Sequence, residues 1–362
     1  MDYSAFPWTD GFAVITSDFL GNIIFEGVGM EISKYELEEC SASINNCRRE
    51  VAKRIVGQKE VIDGILTAMI GGGHILLEGV PGLAKTLAVR TIAEISGLEF
   101  KRIQFTPDLL PADVTGTLIY QQALAKFAVR RGPVFSNIVL ADEINRAPAK
   151  VQSALLEAMA EHQVTIGETS YHLPEPFFVL ATQNPIEQEG TYNLPEAEQD
   201  RFLMKLLVTY PTPEEEIQIV KSNGNAINQP VQNVFNIDQI TKCKNAVQAI
   251  TADDKIINYI VSIVNVTRPE PGRNERRTSA QKKNDVLHYI SYGASPRAGI
   301  ALLQCAKVAA LFNGRSFVLP EDVQSVAKPV LRHRLVLNYE ASADSVTTDE
   351  LISKIIEIMP LP

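Results

Sequence analysis

The run Gly79-Val80-Pro81-Gly82-Leu83-Ala84-Lys85-Thr86 constrains this chain more than any other stretch. It follows a short apolar run, His74-Ile75-Leu76-Leu77-Glu78, and opens a helical pattern from Lys85 to Ser96. An apolar run of that length between glycines reads as a buried strand. A strand, a glycine-rich turn and a helix in that order bring successive backbone N–H groups and a helix N-terminus to one point, which suits a phosphate. The spacing matches GxxxxGK[ST] except at Ala84, which stands where the second glycine is usual. Lys85 is then expected to reach the β and γ oxygens of a nucleotide, and Thr86 to hold magnesium. Gly79, Val80, Pro81, Gly82, Leu83, Ala84 and Leu87 complete the expected cradle. Ala84 is expected at negative φ, as the first step into the helix. The competing reading is a strand-to-helix turn that uses Gly and Pro for geometry alone.

A second apolar run, Ile138-Val139-Leu140-Ala141, ends in Asp142 and Glu143. An acid at a strand end can hold the water shell of Mg²⁺, and its neighbour can polarise an attacking water. Acids after a strand also serve as helix caps, so it is the pairing with the glycine-rich loop that favours hydrolysis. A third run ends in Ala181-Thr182-Gln183-Asn184-Pro185. Parallel strands bring like ends to one edge, where ligands bind, so Asn184 is expected near the γ-phosphate. An Asn that merely forms a turn before proline is the alternative.

Other apolar runs lie at 100–105 and 202–208, the third run covers 177–181, and helical patterns separate most of them, the clearest at 149–162. Strands alternating with helices predict an α/β fold, a parallel sheet with helices on both faces. After Tyr210-Pro211-Thr212-Pro213 the strand signals stop. Helical patterns at about 214–222, 237–249, 254–268, 297–312, 320–332 and 348–357 predict an all-helical second domain. The expected division is an extension over 1–29, an α/β nucleotide-binding domain over 30–210 and a smaller helical domain over 211–362. The extension is aromatic and aperiodic, which fits either a start assigned too far upstream or an ordered arm.

Composition narrows the classes. A net charge of −9 with a pI near 5.2 argues against broad, nonspecific nucleic-acid coating. No stretch reaches the roughly 18 apolar residues of a membrane-spanning helix, so no membrane insertion is expected. Cys40, Cys47, Cys243 and Cys305 form no CxxC pair, so neither a zinc site nor a disulfide framework is expected. These features together read as a reduced, cytoplasmic protein.

Taken together, GVPGLAKT, LADEINRAPAKVQSALLEAMAE, ATQNP, EAEQDRF and GASPRA resemble the AAA+ ATPases, and within them the MoxR family, from about Glu31 onward. In that family alanine before the loop lysine is usual. The resemblance implies an AAA+ core followed by a helical lid, ATP and Mg²⁺ as cofactors, and a homo-oligomeric ring, expected to be a hexamer. It implies that Asp142 and Glu143 are the Walker B pair and Asn184 the sensor 1 residue. Arg201 looks like an arginine finger supplied to a neighbouring subunit, with a surface ion pair as the plainer alternative. Arg146 is a weaker candidate for such a contact. Arg297, on the first turn of a helix, looks like the sensor 2 residue. Ile55, Val56, Gly57 and Gln58 look like the segment that packs on adenine, with ordinary core as the alternative for the apolar residues.

Residues 116–135 look like an insert carried within the second helix, and 164–173 alternate around a glycine as a hairpin would. Between Arg268 and Gly293 the chain departs from the family with an interval holding Arg273, Arg276, Arg277, Lys282 and Lys283. It is read as a solvated insertion, with a docking loop for an acidic partner or nucleic acid as the alternative. The resemblance implies a chaperone-like role on client proteins, often with von Willebrand factor A-domain partners. Rival readings are a magnesium-chelatase-like motor subunit, a nucleic-acid motor, which the charge disfavours, and a nucleotide-gated scaffold that scarcely hydrolyses ATP.

Overall fold

The computed structural model describes residues 32–80, 82–185, 191–222, 229–269 and 286–362. The expectations for 1–29, for Pro81 and for the basic interval beyond Arg268 fall outside the described residues. Helix α1 (Lys34–Val51) begins at a reciprocal cap: Ser33 Oγ accepts from the Glu36 N–H, and the Glu36 carboxylate accepts from the Ser33 N–H at 2.9 Å. Its buried residues, Leu37, Cys40, Ile44, Cys47 and Val51, recur every three or four positions and so form one stripe.

Helix α2 (Lys59–Gly71) leads into β1 (Ile75–Gly79), the loop and α3 (Lys85–Ser96). Then come β2 (Phe100–Gln104), the short α4 (Pro111–Thr115), and β3 (Gly116–Gln121) with β4 (Lys126–Arg131). Strand β5 (Ile138–Asp142), α5 (Ala149–Glu161), β6 (Gln163–Ile166), β7 (Thr169–His172), β8 (Phe178–Gln183), α6 (Glu196–Gln199) and β9 (Met204–Val208) follow. Five strands form one sheet in the order β2-β5-β8-β1-β9, every neighbouring pair parallel. Along β5, Ile138 and Leu140 join one hydrophobic core while Val139 and Ala141 join another. That alternation is why helices cover both faces of the sheet. The expected insert is an antiparallel hairpin of β3 and β4, and the expected second hairpin is β6 with β7.

After β9 come α7 (Pro213–Lys221), α8 (Ile237–Ala249), α9 (Asp254–Val266), β10 (Ile290–Tyr292), α10 (Pro296–Phe312), α11 (Pro320–Leu331), β11 (Val336–Leu337), α12 (Tyr339–Ala343) and α13 (Thr348–Ile358). The expectation of helices alone after residue 211 is corrected by β10 and β11, which pair antiparallel. Three and two residues are too few to carry an alternating pattern. Neighbouring groups hold the pair, since the Asn338 N–H donates to Tyr289 O at 2.8 Å and its side chain to His288 O at 2.7 Å. The buried faces of α8, α9, α10, α11 and α13 join the core that also covers one face of the sheet.

Strand polarity positions everything that follows. The carboxyl ends of β1, β5 and β8 share one edge, with Glu78 beside Gln183 and Gln104 beside Asp142. The opposite edge holds the start of β9, where the Leu203 N–H donates to His74 O at 2.8 Å.

Candidate active site

At the carboxyl edge a cavity of about 380 Å³ is lined by Gly82, Leu83, Ala84, Lys85, Thr86, Leu87, Asp142, Glu143 and Asn184. Its size suits a small-molecule site. The chain can turn so tightly here for two different reasons. At Gly79 a Cβ would stand 2.7 Å from the Val208 carbonyl oxygen, so β1 and β9 approach too closely for a side chain. Gly82 has open space but φ +87, a conformation glycine adopts freely. Ala84 departs from the sequence expectation, because its φ is +54 rather than negative. The chain passes through the left-handed region immediately before α3, so alanine holds there a conformation that glycine takes at lower cost.

Lys85 Nζ donates to Gly79 O at 2.6 Å. Burial lowers its pKa from the usual lysine value, and the carboxylates of Asp142, Glu143 and Glu78 oppose that shift. The loop is also tied to the segment before α2, since Gln58 Nε2 donates to Leu83 O at 2.9 Å. Ile55 is a core residue, and none of residues 55–58 lines this cavity.

Asp142 and Glu143 sit in a polar network that sequence reading did not find. Asp142 Oδ2 accepts from Arg102 Nε at 2.9 Å and from its Nη2 at 2.7 Å, while Oδ1 accepts from the Thr182 hydroxyl at 2.6 Å. Thr182 Oγ1 in turn accepts from the Glu143 N–H at 2.8 Å. Glu143 Oε2 accepts from Gln104 Nε2 at 2.8 Å and pairs with Arg146 Nε at 3.2 Å. Arg146 therefore braces Glu143 within its own chain. The signal for Arg102 and Gln104 was a period of two: they share a face of β2, and the register sets Gln104 beside Asp142. Asn184 is buried at the end of β8 and lines the cavity.

Magnesium takes hard oxygen donors, and the Thr86 hydroxyl and Asp142 carboxylate supply them. A carboxylate has about four acceptor positions, and Arg102 and Thr182 use three of those on Asp142. One remains for a metal-bound water, so the donor set fits the cation.

The two remaining arginines lie elsewhere. Arg201 and Arg297 line a separate cavity of about 250 Å³ with Asp200, Arg334, His74 and His162. Arg201 is exposed, and its Nη1 donates to Leu156 O at 3.0 Å. Arg297 lies in the first turn of α10, as expected, with Nη1 3.8 Å from Asp200 Oδ2. Arg201 precedes β9, at the edge opposite the phosphate cradle. Four residue steps along a strand span about 13 Å, so the two edges of the sheet are that far apart. The structure groups these two arginines with each other and apart from Lys85 of the same chain.

A strand–loop–helix cradle, a paired acid on a nearby strand and an apolar parallel sheet define a nucleotide-hydrolysing P-loop protein. The model for the ATPase family associated with various cellular activities matches residues 74–204, and that for the AAA lid domain matches 284–355. Chaperone MoxR1 of Mycobacterium tuberculosis is 44% identical over 328 residues, covering 90% of this chain and 85% of that protein. Protein MoxR of Methylorubrum extorquens is 31% identical, covering 87% of this chain and 94% of that protein. The solved structure of a candidate ATPase from Cytophaga hutchinsonii superposes with a TM-score of 0.81 at 47% identity, covering 91% of this chain and 98% of that one. The chain belongs to the MoxR family of AAA+ ATPases. Among the described residues no helix is long and apolar enough to cross a membrane.

Proposed function

We propose that this ATPase works in the cytoplasm as a closed ring of identical copies, a hexamer, and that its Mg²⁺-dependent cycle remodels or activates client proteins. In this reading residues 30–210 form the nucleotide-binding body and 211–362 the lid. The observation that carries it is the split of the site: the cradle is at one edge of the sheet and Arg201 with Arg297 at the other. Arginines about 13 Å away across a strand cannot serve the cradle of their own chain, so the site is completed by a second copy. That MoxR1 is named a chaperone supports the client role. Proteins with von Willebrand factor A domains are the first partners to try.

The loop N–H groups and Lys85 hold the phosphates of ATP. Magnesium at Thr86 and Asp142 supplies charge neutralisation when bound. Asn184 orients a water whose proton passes to the Glu143 carboxylate as its oxygen attacks the γ-phosphorus. The bond to the bridging oxygen breaks, leaving ADP and phosphate. Arg201 of the neighbouring copy stabilises the charge on the transferring group.

The test is a mixing experiment. Glu143→Gln should bind ATP and lose turnover by at least about 100-fold, the range of general-base removal. Arg201→Ala should also lose turnover with its cradle intact. An equal mixture should regain activity, because some interfaces combine a sound Glu143 with a sound Arg201. No recovery at any ratio would refute action across subunits, and full turnover in Glu143→Gln would refute its role as the base.

A further inference from the structure

Helix α11 is followed by Arg332-His333-Arg334, and all three side chains reach back to β9 and the turn before it. Arg332 pairs with Asp349 at 2.8 Å and donates from Nη1 to Lys205 O at 3.1 Å. His333 Nε2 donates to Phe202 O at 3.1 Å. Arg334 is the centre of the cluster and only 7% exposed. Its Nε donates to Asp200 Oδ1 at 2.7 Å, and its Nη2 to Phe202 O at 2.7 Å and Asp200 O at 3.4 Å. Its Nη1 donates to Leu203 O at 3.1 Å and to Val330 O. A guanidinium has five N–H groups; all five are used here, four of them on residues 200–203.

Burying a guanidinium is costly, and an apolar side chain of similar volume commonly serves stability as well or better. What an apolar side chain cannot do is fix the carbonyls of a tight turn in a planar fork geometry. The turn held this way is the one that carries Arg201. Its Asp200 carboxylate also accepts from the Ser295 hydroxyl at 3.0 Å, and Ser295 caps the helix that bears Arg297. One carboxylate thus joins the Arg201 turn, the start of α10 and the end of α11. Arg201 itself is exposed, and its side chain has one hydrogen bond among the described residues, to Leu156 O, so the backbone beneath it sets where it points.

We propose that Arg334 is a positioning residue: through Asp200 and the backbone of residues 200–203, it lets helices α10 and α11 aim Arg201 at the nucleotide of the neighbouring copy. The inference rests on the reading of Arg201 as a finger, and the mixing design separates the two.

Arg334→Lys keeps the charge and loses the fork, and Asp200→Asn loses the carboxylate end of the clamp. Each is assayed alone and in an equal mixture with Glu143→Gln, beside Arg201→Ala as reference. Affinity for a fluorescent ATP analogue and melting temperature are measured on every sample. Arg334→Lys should bind the analogue within about twofold of wild type and lose turnover at least about tenfold. It should recover in the mixture as Arg201→Ala does, because the Glu143→Gln copy lends a correctly aimed Arg201. A structural defect that weakens only the cradle of its own chain would show no such recovery. Turnover within twofold of wild type in both clamp variants would overturn the proposal, as would loss without recovery where Arg201→Ala recovers. If Arg334→Lys fails to fold, Asp200→Asn alone decides by the same comparison. Wild-type turnover in Arg201→Ala would sink the finger reading first, and this inference with it.

Discussion

His74, at the start of β1, makes stability depend on pH in a way that can be worked out. Its ring is buried, Nδ1 accepts from the Val179 N–H at 3.1 Å, and Nε2 faces Met159 O at 3.2 Å. A carbonyl can only accept and an N–H only donate, so the proton is on Nε2 and the ring is neutral. Protonating Nδ1 would set two N–H groups against each other and break the bond from Val179. Burial, with smaller contributions from His162 and Lys244, lowers the pKa from 6.5 to about 4. The folded value lies below the unfolded one, so above pH 6.5 both states are neutral and nothing is lost. As the pH falls from 6.5 toward 4 the unfolded chain takes up a proton that the folded chain refuses, and stability drops. At about 1.36 kcal/mol per pKa unit, the loss between pH 7 and pH 5 is about 2 kcal/mol. Urea unfolding of wild type and His74→Gln at pH 5, 6 and 7 isolates it from the other titrating groups. The stability advantage of wild type should shrink by about 2 kcal/mol across that range. Parallel pH profiles would refute the assignment of a neutral, buried ring.

Two further substitutions test the cradle and the acids beside it. Ala84→Gly should leave nucleotide binding intact and raise stability by about 0.5 kcal/mol, the relief of a left-handed alanine less the greater unfolded freedom of glycine. A urea midpoint corresponding to a loss above about 1 kcal/mol would contradict the positive φ. Thr182→Val keeps the shape but removes the hydroxyl shared by Asp142 and the Glu143 N–H, leaving buried groups unpaired at a cost of about 1–3 kcal/mol. Its kcat should fall about tenfold with ATP affinity within twofold, and an unchanged kcat would remove Thr182 from the machinery.

Much of this architecture was legible because its signals are local. Five apolar runs bounded by turn residues became the five strands of the sheet, and the pattern over Lys85–Ser96 became α3 with those bounds. The glycine-rich loop and the strand-end acids were legible because their chemistry needs particular residue types at fixed spacing. Strands β10 and β11 were not, since two or three residues carry no period and their pairing depends on partners some 45 positions away. Ala84 shows the limit from another side. Residue type suggested negative φ, but the geometry of the whole turn decides that angle, and it is +54.

Residues that act through contacts were illegible for a different reason. Arg102, Gln104 and Thr182 lie on strands whose register sets their neighbours, and a single strand does not declare its register. Arg334 sits about 130 residues from the carbonyls it holds, so no window of sequence contains both partners. The position of Arg201 is of the same kind. In sequence it stands near the strand-end motifs, yet β1 and β9 run parallel, so a residue before β9 must lie across the sheet from a loop that follows β1. Strand direction is what separates the arginines from the loop that follows β1, and the proposal of a second copy rests on that separation.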